Sequence, residues 1–132
     1  MLNYEELIQE AVKARNFAYA PYSNFHVGAA LLTKSGTVYT GCNIENAAYT
    51  PTNCAERTAF FKAISQGERD FQAIAIIGEK NDYLAPCGVC RQVMMEFVDP
   101  VSFYIILARN EKDYQVMTLD ELFPYAFGKE NL

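Results

Sequence analysis

At 132 residues, with 51% apolar content and nine Phe and nine Tyr, the chain is long enough to bury about two-thirds of its unfolded surface and needs no disulfide staples. Eleven Lys and Arg against sixteen Asp and Glu leave a net charge of −5 with no basic cluster, which disfavours a nucleic-acid partner, whose phosphates call for a positive stripe. No apolar run approaches the roughly 20 residues of a membrane helix, and the acidic opening Met1-Leu2-Asn3-Tyr4-Glu5-Glu6 lacks the pattern of a secretory signal. One domain over 1–132, a cytoplasmic location, no membrane partner and a small neutral substrate are the expectations. Four cysteines in such a chain point to reduced thiols and metal rather than bridges.

Asn3 reads as the N-cap of a first helix running to about Phe17, with Leu7, Ala11, Ala14 and Ala18 at helical spacing. The Pro21 loop follows. Phe25 to Thr33 is nearly unbroken apolar sequence and predicts a strand buried on both faces. Lys34 to Thr37 is a turn, and Val38 to Asn43 a second strand closing a hairpin. A helix is expected from about Cys54 to Gln66, stopped by Gly67, then a strand over Phe71 to Gly78. Pro86 opens a third helix that lasts until Asp99-Pro100. Ser102 to Ala108 is the fourth strand and Gln115 to Met117 a short fifth. Thr118-Leu119-Asp120-Glu121 has capping-box spacing for a last short helix. Strand–helix–strand units in the middle imply parallel pairing, while the last link is too short for a crossover and makes strands four and five antiparallel. The fold expected is α/β: a three-layer sandwich with a mixed five-stranded sheet between helices on both faces.

The chemistry concentrates in Cys54-Ala55-Glu56-Arg57 and Pro86-Cys87-Gly88-Val89-Cys90. Three thiolates, Cys54, Cys87 and Cys90, hold a zinc ion and leave a fourth position open for water, as catalytic zinc requires. Each cysteine segment sits where a strand hands over to a helix, and the free N–H groups of a first turn favour the thiolate. Glu56 is then placed to carry a proton beside the metal. Three thiolates with Zn²⁺ sum to −1, so a nearby guanidinium, Arg57 or Arg91, is expected to drain charge from the sulfurs.

The chain resembles the zinc-dependent cytidine deaminases, specifically the small ones acting on free nucleosides. The segments that carry the resemblance are 20–30 (Ala20-Pro21-Tyr22-Ser23-Asn24-Phe25-His26-Val27-Gly28-Ala29-Ala30), 41–47 (Gly41-Cys42-Asn43-Ile44-Glu45-Asn46-Ala47), 54–59 and 86–93. The resemblance implies one zinc per chain and hydrolytic deamination of cytidine and 2′-deoxycytidine to uridine and 2′-deoxyuridine, with release of ammonia, in pyrimidine salvage. It also implies a homotetramer whose neighbouring subunits complete each site. Residue by residue, it makes Cys54, Cys87 and Cys90 the ligands and Glu56 the proton shuttle, with Arg57 the guanidinium at the thiolates. Phe25 lies beside the base, Asn43 and Glu45 hold the ribose, Ala55 joins the substrate contacts, and Phe127 reaches a neighbour's site. Two positions depart from the pattern: Ala85 stands where serine is common before Pro-Cys, and Tyr125 where the tail usually has a small residue.

Blander readings stand beside these. Asn53 to Glu56 fits a capping box, in which Glu56 merely caps its own helix. Cys42 is expected to be buried filler and His26, the sole histidine, structural. Asn43 and Glu45 alone would be strand-end polars, and Phe25 and Phe127 packing residues. Among rival functions, a deaminase of a different small amine is opposed by the ribose pair, and a nucleic-acid deaminase by the charge. A non-catalytic zinc module leaves Glu56 without purpose, and bound zinc would exclude a thiol-redox protein.

Overall fold

In a computed structural model, residues 2–132 are described. Helix α1 spans Tyr4–Arg15, and Asn3 caps it by accepting from the Glu6 N–H at 2.8 Å. Glu5 and Glu6 in the first turn and Lys13 and Arg15 in the last suit the helix dipole. The helix ends short of Phe17 because Asn16 and Phe17 donate to carbonyls three residues back, tightening the last turn. Strands β1, Gly28–Thr33, and β2, Val38–Cys42, form the hairpin; α2 spans Ala55–Ser65 and β3 Phe71–Ile77. Then come α3, Gly88–Phe97, β4, Tyr104–Ala108, β5, Tyr114–Thr118, α4, Leu119–Leu122, and a 3₁₀ turn at Lys129–Asn131 that the sequence did not announce. The capping box at Thr118 and Glu121 forms as its spacing predicts.

The sheet order is β2-β1-β3-β4-β5, with β3 and β4 parallel and the remaining pairs antiparallel. The antiparallel β4–β5 pair and the parallel β3–β4 pair match expectation. The unit β2–α2–β3 does not pair its strands, because β1 lies between them and bonds to both. Strand β1 also starts at Gly28 rather than Phe25. The Asn43 side chain explains this: its Oδ1 accepts from Val27 N–H at 2.9 Å and its Nδ2 donates to Phe25 O at 2.8 Å, so residues 25–27 leave the ladder.

Side-chain alternation sorts the core into two layers. Leu31, Ile74, Ile76, Ile105 and Leu107 face Phe60, Ala63 and Met94 of α2 and α3. Ala30, Leu32, Ala73, Ala75 and Ile106 face Leu7, Ile8 and Ala11 of α1. Alanines on the α1 side let that helix lie close: a Cβ at Gly28 would sit 1.9 Å from Ala11 O. On the other face a Cβ at Gly41 would sit 2.3 Å from Ala55 O, so the first turn of α2 rests directly on β2. That contact fixes where Cys54 and Glu56 stand. Among the described residues no helix is long and apolar enough to cross a membrane.

Candidate active site

Cys54 and Cys87 are the N-cap residues of α2 and α3, both with extended backbone and neither using its side chain as a cap. Cys90 lies in the first turn of α3 and is buried. The three Sγ atoms lie within 4.8 Å of one another, and those of Cys54 and Cys87 are 3.7 Å apart. Tetrahedral zinc with Zn–S bonds of about 2.3 Å puts its sulfurs roughly 3.8 Å apart. Soft donors at that separation, beside two helix N-termini, fit zinc. All four cysteines are free; Cys42, at the end of β2, is half-buried and outside the cluster.

Electrostatics within the cluster favour thiolate at Cys54. The Cys90 thiol bonds to Cys54 and lowers its pKa to about 5, helped by Arg57 and Cys87 against the opposing effect of burial. Cys90 keeps the shared proton and is pushed far above the usual thiol range, first by that bond to Cys54 and then by burial. The Arg57 Nη2 donates to Cys54 Sγ at 3.3 Å. Burial opposes the guanidinium charge, yet hydrogen bonds to Cys54 and Cys90 outweigh it and raise its pKa. Arg91 points elsewhere, its Nε bonding Pro86 O at 2.9 Å and its Nη1 Leu122 O at 2.7 Å. Of the two arginines, Arg57 is the one at the sulfurs.

Glu56 occupies the second position of α2, 5% exposed, and its carboxyl is pushed up to about 7, mainly by burial. Cys54 supplies the N-cap, one residue later than a box between Asn53 and Glu56 would need, and the Asn53 amide donates instead to Thr58 Oγ1 at 3.1 Å. The capping-box alternative therefore does not form. Glu56 instead lines a cavity of about 260 Å³ together with Cys54, Cys87, Phe25, Asn43 and Glu45. Ala55 lines it as well.

Its apolar wall is Phe25, Val27 and Leu84; the Phe25 ring lies where a Cβ at Gly78 would meet it at 2.8 Å. The Asn43 amide is tied to the backbone of 25–27, as described above. Glu45 accepts from the Tyr22 and Ser23 N–H groups at 3.0 and 3.1 Å and from the Ser23 hydroxyl. The Ser23 hydroxyl is the main cause of its lowered pKa. Asn43 and Glu45 thus brace the loop bearing Phe25 while lining the cavity. Phe127 is exposed and outside this cavity, its carbonyl accepting from Gln92 Nε2 at 2.9 Å. His26 pairs with Glu79, Nδ1 to Oε1 at 2.7 Å, away from the sulfurs.

Ser23, Val27 and Leu84 line the cavity too, and sequence reading did not single them out. Val27 and Leu84 look like any core residue. The Pro21-Tyr22-Ser23-Asn24 turn was visible, but nothing in sequence ties Ser23 to Glu45, 22 residues away.

Residues 1–106 match the family described as the cytidine and deoxycytidylate deaminase zinc-binding region. The cytidine deaminase of Sporosarcina psychrophila is 52% identical over 131 residues, spanning 99% of this chain and 96% of its own. That of Halalkalibacterium halodurans is 50% identical over 131 residues, 99% of this chain and 98% of its own. The crystal structure of cytidine deaminase from Burkholderia pseudomallei superposes with a TM-score of 0.90 at 50% identity, over 96% of this chain and all of that one. With three clustered thiols, a buried glutamate beside them and likeness along nearly its whole length, the chain belongs to the zinc-binding cytidine deaminase family.

Proposed function

We propose that the protein hydrolyses cytidine and 2′-deoxycytidine to uridine and 2′-deoxyuridine with release of ammonia, as a cytoplasmic enzyme of pyrimidine salvage whose 132 residues form one catalytic domain. The observation that carries the reading is the buried Glu56 carboxyl lining one cavity with Cys54 and Cys87, whose sulfurs cluster with that of Cys90. The cavity's volume of about 260 Å³ lies near the small end for ligand pockets and suits one nucleobase.

Cys54, Cys87 and Cys90 would hold zinc, which when bound supplies the Lewis acidity that makes a water nucleophilic near neutral pH. Phe25 and Leu84 form the apolar wall against which the flat base lies and keep bulk water from that side of it. Asn43 and Glu45, which also line the cavity, meet the ribose hydroxyls, and the Ala55 backbone borders the base. Glu56 takes a proton from the attacking water and delivers it to N3 of the ring. It then takes the proton of the newly added hydroxyl and passes it to the departing amine, so that one carboxyl serves every transfer and ends as it began. Arg57 holds Cys54 as thiolate throughout.

The reading extends to assembly. Phe17, Tyr19, Tyr49 and Phe127 are large and exposed, and apolar surface of that kind supports burial against other copies. A homotetramer in which Phe127 reaches a neighbour's cavity accounts for the distance of that residue from its own.

Ultraviolet assay of cytidine, deoxycytidine and cytosine with the purified protein tests the activity. Glu56→Gln should fold, keep its zinc by metal analysis, and lose about 10²–10⁴-fold or more in kcat. A wild-type protein that consumes neither nucleoside, or a Gln variant that stays active, refutes the assignment.

A further inference from the structure

Residues 79–86 carry one wall of the cavity and lead into Cys87, yet among the described residues this segment makes no backbone–backbone hydrogen bond. Side chains hold it instead. At its far end Arg91 bonds Pro86 O. In its middle the Tyr83 hydroxyl donates to Asp113 Oδ1 at 2.7 Å. Asp113 stands in the β4–β5 turn and also pairs with Arg109, Nη1 to Oδ2 at 3.4 Å, while the Arg109 guanidinium lies over the Tyr83 ring at 5.3 Å. The turn is itself stiffened: Asn110 Oδ1 accepts from the N–H groups of Lys112 and Asp113, each at 2.9 Å. Arg109 Nε is buried without a hydrogen-bond partner.

Leu84 is the next residue after Tyr83. Its side chain lines the cavity and packs beside the Phe25 ring over Gly78, where an added Cβ would meet Leu84 Cδ2 at 3.1 Å and the ring at 2.8 Å. Ala85 follows on the same wall. A segment with no ladder of its own takes its position from its anchors, and the base-facing pair lies directly between two of them. We propose that Tyr83, Asp113 and Arg109 form a strut from the β4–β5 turn that positions Leu84 and Ala85 against the substrate base, and so set how tightly the base is held. None of the three touches the reacting atoms; they are positioning residues.

The proposal rests on the deaminase reading for its kinetic arm alone. Tyr83→Phe removes the hydroxyl and keeps the ring. It should raise KM for cytidine roughly threefold to tenfold, the scale of one hydrogen bond, with kcat within about twofold, because Glu56 and the thiols stay in place. Asp113→Ala should do the same, the double variant should be no worse than either single, and Asp113→Asn, which keeps an acceptor, should restore KM. Loosening has a second readout that needs no substrate: Lys80 is exposed at the start of the segment, and trypsin should cut after it several-fold faster in Tyr83→Phe than in wild type. Wild-type KM in both single variants, or a lower melting temperature with neither KM nor cleavage altered, overturns the strut. Should the wild-type protein not turn over cytidine, the function falls, and the cleavage rate alone decides the strut: unchanged cleavage overturns it, faster cleavage sustains it.

Discussion

Glu79 accepts from the His26 N–H at 2.5 Å and meets the His26 ring at 2.7 Å, directly behind Phe25. Those contacts, the backbone one first, hold its carboxyl below the usual range. A depressed carboxylate contributes stability that is fully present above its unfolded value and is lost as pH falls through the folded one. Glu79→Gln should therefore lower the melting temperature at pH 7, and the gap from wild type should close as the pH drops into the acid range. A gap that stays constant with pH would mean that the charge contributes nothing. At this scale the sequence was legible where chemistry needs fixed residue types at fixed spacing: Cys87 and Cys90 share a turn of helix, and Cys54 and Glu56 flank one alanine. It was not legible where a role comes from a tertiary contact. The choice between Arg57 and Arg91 depended on which way each guanidinium turned, and the bracing of Ser23 by Glu45 depends on a loop folding back 22 residues.

Among the elements, α2 matters most to the site, and it is seated by a missing side chain. With Ala55 O and Ala59 N only 2.3 and 2.5 Å from where a Cβ would stand at Gly41, Gly41→Ala must push the helix off β2. Overpacking of this kind costs about 1–3 kcal/mol, and backbone is the part least able to yield. Thermal unfolding should show that loss, and zinc affinity measured by competition with a chelator should fall with it, since Cys54 rides on the displaced turn. A variant as stable and as zinc-avid as wild type would show that α2 is positioned from elsewhere. Every strand and α-helix was readable from periodicity, turn residues and caps. Two of the misplaced edges have local causes: Asn43 draws 25–27 out of β1, and tightened bonds end α1 early; α3 also proves shorter at both ends, Gly88–Phe97, and β4 starts at Tyr104 rather than Ser102. The insertion of β1 between β2 and β3 was not readable, because a strand–helix–strand unit fixes direction and leaves adjacency open.

For the whole molecule, the tail is the test of assembly. Deleting residues from Phe127 onward should reduce deamination while leaving zinc content and chain fold intact. Mixing that truncated protein with Glu56→Gln, then dissociating and reassembling, should restore part of the activity, because each lends the group the other lacks. No gain in hybrids verified by mass would mean that Phe127 serves no neighbour. The sheet order carries a consequence of another kind. β1 pairs with β2 across a short hairpin and β4 with β5 across a short turn, a crossover through α3 brings Ala73 to Tyr104, and the β1–β3 ladder joins Gly28 to Ile77. The β1–β3 ladder is thus the longest-range strand pairing of the sheet, and its closure carries the largest loop-entropy cost. Cys54 and Glu56 precede β3 in the chain, and Cys87 and Cys90 follow it. A chain with that ladder open carries one thiol on one side of the break and two on the other.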